Sequence, residues 1–198
     1  MKSRLLFLLK YYFFWIIIFI VQKISFLFFN YKESFELNIS DWFLVILNGL
    51  KLDFSAAAYL LLIPSVLMIF SFDAIYSIIR KVINVYTYLF LFFVLYLGVV
   101  DMDLYSYWGF KLDITPLLYI KTPGEALASV SFLEIALLVL FFAFLFFLFL
   151  RLYRKYFQPA ALPEKTKWWT TILAGLIFIM ILIIPARGGF GIAPMNLS

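Results

Sequence analysis

The chain contains no cysteine and no histidine. Without cysteine, disulfide bonds and thiolate metal sites are excluded. Without histidine, a Ser-His-Asp triad, an imidazole zinc site and the usual haem ligands are excluded as well. Charged residues are also few, at 14% of the sequence, whereas about a quarter of the residues in a soluble domain are charged.

Apolar and aromatic side chains take the place of these residues. Hydrophobic residues make up 66% of the chain and aromatic residues 22%, which is typical of an integral membrane protein. The net charge of +5 is not expected to serve nucleic-acid binding, because no basic stripe alternates with exposed aromatics on a soluble domain.

Five apolar runs are long enough to cross the hydrocarbon core, which takes about 20 helical residues. The first run follows a positively charged start, as in a secretory signal. It exceeds the about 7–15 residues of a signal core, however, and no small-x-small cleavage site follows it. Lys10 and Lys23 are expected to snorkel from this helix towards the membrane surfaces. The sequence thus predicts an all-α integral membrane protein with spans at about 6–28, 52–71, 82–100, 132–150 and 168–184.

The second apolar region, 42–70, is longer than one span and is interrupted by Asn48, Lys51 and Asp53. One alternative is a tilted helix that buries this polar cluster. The other places residues 42–50 along the outer interface, with the span beginning near 52. Because buried charges are rare inside membranes, the second alternative is favoured.

The longest break in the apolar pattern is residues 101–131, which hold three Asp, one Glu, two Lys, three Tyr and one Trp. This segment carries too many charges for a membrane span and too many aromatics for a disordered loop. We therefore expect an amphipathic segment in the membrane interface, between the third and fourth spans. The alternative is a simple interfacial anchor that fixes the helix ends. The acidic residues do not follow the calcium-loop pattern, so no metal site is predicted.

The distribution of charge predicts the orientation in the membrane. One face collects the basic residues Lys2, Arg4, Arg80, Lys81, Arg151, Arg154, Lys155, Lys165 and Lys167. The other face collects most of the acidic ones: Glu33, Glu36, Asp41, Asp101, Asp103, Asp113 and Glu125. The positive-inside rule then places the N-terminus in the cytoplasm and the C-terminus outside. On the outer face, Lys111, Lys121 and Arg187 are candidate contacts for a lipid phosphate.

Three segments carry a family resemblance: GLKLDFSAAAYLLLIP at 49–64, DMDLYSYWGFKLDITPLLYIKTPGEALAS at 101–129 and RGGFGIAPMN at 187–196. Together with the five-span arrangement, they resemble the membrane domain of bacterial lipoteichoic acid synthase-like proteins, in the sulfatase and alkaline phosphatase superfamily. The richness in Phe, Ile, Tyr and Lys suits a Bacteroidetes-type member.

The resemblance implies a two-part enzyme of the bacterial cytoplasmic membrane, with its functional face outside. Residues 1–186 would be the five-span anchor, and residues 187–198 would begin a linker to an α/β catalytic domain that lies beyond this sequence. Such a domain carries a Thr nucleophile and a divalent metal, often manganese. It transfers phosphoglycerol or phosphoethanolamine from a phospholipid, or acts as a related hydrolase.

No catalytic residue, metal ligand or cofactor is therefore expected within this chain. The expected partners are membrane lipids with anionic or zwitterionic headgroups, and the chain's own catalytic domain. The residues expected to face them are Asp101, Tyr105, Trp108, Lys111, Lys121 and Arg187. The alternatives are an accessory scaffold or a self-contained transporter with Asn48, Lys51 and Asp53 on its path, although no internal repeat supports a transporter.

Overall fold

The computed structural model describes residues 2–34, 38–71, 75–109, 131–160 and 168–187. All regular secondary structure within these ranges is helical: α1 Lys2–Phe29, α2 Tyr31–Ser34, α3 Ile39–Ile69, α4 Tyr76–Trp108, α5 Phe132–Leu152 and α6 Trp168–Ala186. A π-helical turn, Tyr153–Phe157, extends α5. Four helices are long and apolar enough to cross a membrane, and Gly175–Ala186 within α6 forms a shorter apolar helix. These features indicate a multi-pass membrane protein.

The first helix lies at the centre of the bundle. It packs against α3 on one side, and against α4 and the π-helical turn on the other. On the outside of this core, α6 packs against α3 and α5 against α4. The side chains of Tyr11, Trp15 and Ile18 in α1 are 0% exposed, so the bulky residues of this helix form the core of the bundle.

Contacts at the two ends of α1 show that α3 runs antiparallel to it. At one end, Arg4 donates a hydrogen bond from Nη2 to the carbonyl oxygen of Ser71 at 2.7 Å. At the other, the rings of Phe28 and Trp42 meet edge to face with their centroids 5.4 Å apart. We call these the Arg4 end and the Asn30 end of the bundle, after a residue in the first turn of α1 and the residue that follows its last turn.

The fourth helix runs parallel to α1, and α5 returns antiparallel to it. At the Asn30 end, the hydroxyl of Tyr107 donates to Glu134 Oε2 at 2.7 Å. At the Arg4 end, the hydroxyl of Tyr153 donates to Asn84 Oδ1 at 2.9 Å. The π-helical turn thereby directs Tyr153, which is fully buried, against α4 and α1.

A close approach between α6 and α3 depends on Gly175. A Cβ atom at this position would lie 2.6 Å from Ile69 Cδ1, which is too close for two carbon atoms. At the other end of the contact, Ser55 donates from Oγ to the carbonyl oxygen of Ala186 at 2.8 Å. The two contacts show that α6 runs antiparallel to α3.

The structure differs from the sequence-based expectation at the end of α4. The hydropathy pattern ends the third span at Asp101, but the helix continues to Trp108 and is terminated by Gly109, whose φ is 71°. Hydropathy reports where the hydrocarbon ends, whereas a helix ends where the backbone leaves helical geometry, here at a left-handed glycine. The rest of the predicted interfacial segment, 110–130, lies outside the described residues.

The second region also differs, because α3 is continuous through residues 42–52. Asn48 and Lys51 are exposed, whereas Asp53 is buried, so the helix does not bury the three polar residues as one cluster. A helix of 31 residues is about 46 Å long and exceeds the about 30 Å of hydrocarbon. The depth predicted for residues 42–50 stays a prediction.

Candidate functional site

Three polar residues, Gln22, Lys23 and Asn30, lie in the last third of α1 and just beyond its end. Lys23 and Asn30 are seven residues apart, which places them on the same face of the helix about two turns apart. Gln22 precedes Lys23 and points about 100° away from it around the helix axis. These three side chains direct polar atoms towards α3 and α4, in a bundle whose core is mainly apolar and aromatic.

An ion pair joins α1 to α3. Lys23 Nζ lies 2.5 Å from Asp53 Oδ2 and also donates to the carbonyl oxygen of Ile46 at 3.2 Å. Asp53 is only 7% exposed. The ion pair offsets the free-energy cost of burying a carboxylate inside an apolar helical bundle.

Two glycines make room for the polar side chains of α1. A Cβ atom at Gly49 would lie 2.7 Å from Lys23 Nζ. At Gly98 a Cβ atom would lie 2.8 Å from Gln22 Cδ. The glycine at 98 lets Gln22 Nε2 approach α4 and donate to the carbonyl oxygen of Val94 at 2.8 Å.

Asn30 lies at the end of α1 and is 4% exposed. Its Nδ2 donates to the carbonyl oxygens of Phe26, at 3.3 Å, and Met102, at 3.4 Å. Both partners are acceptors, which fixes the orientation of the amide. Among the described residues, no donor reaches the buried Oδ1.

These residues line a cavity of about 530 Å³ between α1, α3 and α4. From α3 it is lined by residues at positions 45, 49, 52 and 53, and from α4 by Gly98, Asp101, Met102 and Tyr105. Helical spacing of three to four residues places each set on one helix face. We call this space the Lys23 cavity.

The Lys23 cavity has the features of a binding site. It combines an ammonium, carboxylates and amides with the apolar side chains of Phe19, Leu27 and Val45. Within the part of the chain that the structure describes, no three acidic, histidine or cysteine side chains are grouped to hold a metal ion. The arrangement can therefore bind a polar group, with the chain's own side chains supplying hydrogen bonds and charge.

The structure brings some of the predicted site residues together. Asp101 and Tyr105 line the Lys23 cavity, and the Tyr105 ring packs on Phe26 with centroids 4.9 Å apart. Trp108 lies one turn further, at the exposed end of α4. Arg187 is exposed, just beyond α6. Lys111 and Lys121 lie outside the described residues.

The polar residues predicted on α3 separate in the structure. Asp53 faces the Lys23 cavity, whereas Asn48 and Lys51 are exposed and are not among the residues that line it. The three therefore do not form one path through the bundle.

Sequence reasoning missed the contributions of Gln22, Lys23 and Asn30. Lys23 was expected to snorkel, but its ammonium pairs with Asp53, because α3 offers a buried carboxylate within reach of the same helix face. The spacing of Lys23 and Asn30, and of Gly49 and Asp53, one turn apart on α3, was the available signal.

No protein-family model, no curated protein and no solved structure matches the chain. The family resemblance therefore stays a hypothesis that rests on its three segments.

Proposed function

We propose that this chain is the membrane-anchoring and lipid-presenting part of a sulfatase-like phosphoglycerol or phosphoethanolamine transferase, or of a related hydrolase. It would act at the outer face of the bacterial cytoplasmic membrane. The observation that carries the proposal is the Lys23 cavity, a space inside the helical bundle that is lined by charged and amide groups as well as by apolar side chains. Two of the three segments of the family resemblance, 49–64 and 101–129, contribute to its walls.

The position of the cavity supports a role in holding lipid headgroups. On α3, Trp42 lies level with the end of α1 and Ser55 lies level with the end of α6, and thirteen residues of helix span about 20 Å. The residues of α3 that line the cavity, 45–53, lie between these two levels. The cavity thus extends from near the Asn30 end of the bundle to the middle of α3, and its part at the Asn30 end is within reach of headgroups.

A second cavity supports the same function. It measures about 740 Å³ and lies between α1 and α5, on the other side of the end of α1. Its walls are mainly apolar and include Phe28, Leu133, Leu137 and Phe141. Such a surface suits acyl chains beside a bound headgroup.

The proposed topology has five spans, with α6 as the fifth, and places the Arg4 end in the cytoplasm. The described basic residues at that end include Arg80, Arg151, Arg154 and Lys155, which agrees with the positive-inside rule. The Lys23 cavity then opens towards the outer face. An amphipathic segment following α4 would lie in the outer interface. The Thr nucleophile and the divalent metal would belong to a domain that follows residue 187, outside the membrane.

A transporter is the second candidate, and the buried Lys23–Asp53 pair is the observation that favours it. Paired charges within membrane helices often line translocation paths. The exposure of Asn48 and Lys51 removes two of the three residues predicted for such a path. We therefore place lipid presentation first.

The test is to measure phospholipid that stays bound to the purified chain after detergent washing. The double variant Lys23→Met with Asp53→Leu removes both charges together, which avoids leaving one charge unpaired. We expect the parent chain to retain phospholipid and the double variant to lose most of it. Lys10→Met, which removes an exposed lysine of the same helix, is the matched control and should retain it.

Equal retention by the parent and the double variant would contradict lipid presentation by this cavity. The enzymatic half of the proposal has its own test, which is to read the native gene beyond the codon for Ser198. An open reading frame that continues into a domain with a Thr nucleophile and metal ligands is expected, and a stop codon there would exclude the enzyme.

A further inference from the structure

We propose that the Lys23 cavity selects phospholipids whose headgroup carries an N–H-bearing ammonium group beside the phosphate, as phosphatidylethanolamine does. This inference rests on the proposed lipid-presenting function and names the ligand of the same site. The family resemblance leaves both phosphoglycerol and phosphoethanolamine open. The side chains that line the cavity favour the second.

The charges of the cavity wall favour a headgroup that carries both signs. Among the described residues that line it, the charged groups are one ammonium, on Lys23, and two carboxylates, on Asp53 and Asp101. A ligand with only a phosphate would find one attractive group and two repulsive ones. A ligand that carries both a phosphate and an ammonium matches both signs.

The side chain of Asn30 can accept a hydrogen bond from a bound headgroup. Its buried Oδ1 has no donor among the described residues, and a buried acceptor without a donor is unfavourable. The residue lines the cavity, so a donor bound there completes its hydrogen bonding after a small adjustment. An ammonium with N–H groups supplies such a donor, whereas a trimethylammonium does not.

The ammonium group of Lys23 can donate a hydrogen bond to the phosphate of a headgroup. Its ammonium has three protons, and the described acceptors, Asp53 Oδ2 and the carbonyl oxygen of Ile46, account for two of them. The third is available to a phosphate oxygen. Lys23 and Asn30 are separated by about 10 Å along α1, so the phosphate and the ammonium of one headgroup would meet opposite parts of the cavity.

The test uses the full chain in detergent and measures binding of single phospholipids by native mass spectrometry. The lipids share their acyl chains and form a series: phosphatidylethanolamine, its N-methyl and N,N-dimethyl derivatives, and phosphatidylcholine. This series removes N–H groups from three to zero while both headgroup charges stay the same. Phosphatidylglycerol is the fifth ligand, since it keeps hydroxyl donors but lacks the cation.

We expect phosphatidylethanolamine to bind about tenfold more tightly than phosphatidylcholine, with the largest loss when the last N–H is removed. We also expect it to bind more tightly than phosphatidylglycerol. Equal binding across the methylation series would overturn the role of Asn30. Binding of phosphatidylglycerol as tight as that of phosphatidylethanolamine would overturn the role of the wall charges.

A variant locates the effect. Asn30→Leu should bring phosphatidylethanolamine and phosphatidylcholine to similar affinities, whereas Asn48→Leu, an exposed asparagine of α3, should leave the preference unchanged. The methylation series on the parent chain needs no variant, so the proposal stays testable if Asn30→Leu does not fold. Failure of the proposed function looks different, because all five lipids would then bind equally to the parent and to the Lys23→Met, Asp53→Leu double variant.

Discussion

Thr87 joins α4 to α1 through one hydroxyl group in the core of the bundle. Its Oγ1 donates to the carbonyl oxygen of Ile83 at 2.7 Å and lies 3.0 Å from the hydroxyl of Tyr11. Because a hydroxyl has one proton, Thr87 accepts from Tyr11, which is the donor. Both side chains are fully buried, so water cannot replace either partner.

Replacement of Thr87 by Val should therefore destabilise the bundle. The Tyr11 hydroxyl would be left without an acceptor, at a cost of about 1–3 kcal/mol. Thr87→Ser keeps the hydroxyl and should cost less. The midpoint of thermal unfolding in detergent measures the effect. If Thr87→Val unfolds at the same midpoint as the parent, the hydrogen bond contributes no net stability. Adding Tyr11→Phe to Thr87→Val should recover part of any lost stability, because it removes the unpaired hydroxyl.

At the level of single residues, the sequence identifies the polar groups but not their partners. Asp53 is a recognisable candidate because charged residues are rare in apolar runs. Its partner, Lys23, lies thirty residues away in the chain, and only the packing of α1 on α3 brings the two together. When each helix is considered alone, its charged side chains are predicted to reach water, because a single helix offers them no other partner.

Pro64 interrupts the hydrogen bonding of α3 without ending the helix. Proline has no N–H, so the carbonyl oxygen of Leu60, four residues earlier, loses its helical donor. The hydroxyl of Tyr86 in α4 donates to this carbonyl oxygen at 3.1 Å. A neighbouring helix thus supplies the hydrogen bond that the proline removes, as membrane helices commonly require.

The effects of substitutions at Tyr86 and Pro64 on the stability of the bundle should therefore be coupled. Tyr86→Phe should lower stability by about 1 kcal/mol in the parent chain. The same change should cost less in a Pro64→Ala background, because the new N–H at 64 satisfies Leu60. Unfolding of the four chains in detergent gives the coupling energy. Tyr59→Phe, on the exposed side of α3, is the control. If the effects of Tyr86→Phe and Pro64→Ala on stability are additive, the Tyr86 hydroxyl does not replace the N–H that Pro64 lacks.

At the level of elements, hydropathy predicts where the apolar helices lie better than where they begin and end. The five apolar runs correspond to α1, α3, α4, α5 and α6, of which the first four are long enough to cross a membrane. The third helix begins thirteen residues before its predicted span and ends two residues before its predicted end. The continuation of α4 to Trp108 follows from helical backbone geometry, which charged residues such as Asp101 and Asp103 do not interrupt. Propensity and polarity are weak guides to where a helix ends.

For the molecule as a whole, the absence of cysteine allows the proposed orientation to be tested by single substitutions. Lys32→Cys, Lys155→Cys and Arg187→Cys each place one thiol at an exposed position. In cells with a permeabilised outer membrane, an impermeant maleimide should label the thiols at 32 and 187 directly, and the one at 155 only after lysis.

The parent chain, which has no thiol, is the control for background labelling. If the thiol at 155 is labelled in unlysed cells and the one at 32 is not, the orientation is the opposite of the one proposed. If the thiol at 187 instead requires lysis while that at 32 does not, α6 does not cross the membrane and the fifth span is wrong.

The sequence predicts the class of the whole molecule, an all-helical membrane protein, from its composition and its long apolar runs. It does not predict that α1 is the central helix, because the order of helices in space depends on which faces fit together. Large aromatic side chains such as Tyr11 and Trp15 can face lipid or pack in a protein core. Their presence in a helix therefore does not show which of the two environments it occupies.

The central position of α1 has a consequence for biosynthesis. Proteins are made from the N-terminus, so Lys23 enters the membrane before Asp53, which follows thirty residues later in the chain. During that interval the nascent helix carries an ammonium without its carboxylate, near enough to the helix end for the side chain to reach the surface. Snorkelling of Lys23 is then expected in the nascent helix, and docking of α3 would draw the ammonium inward and assemble the cavity only once α3 has been inserted.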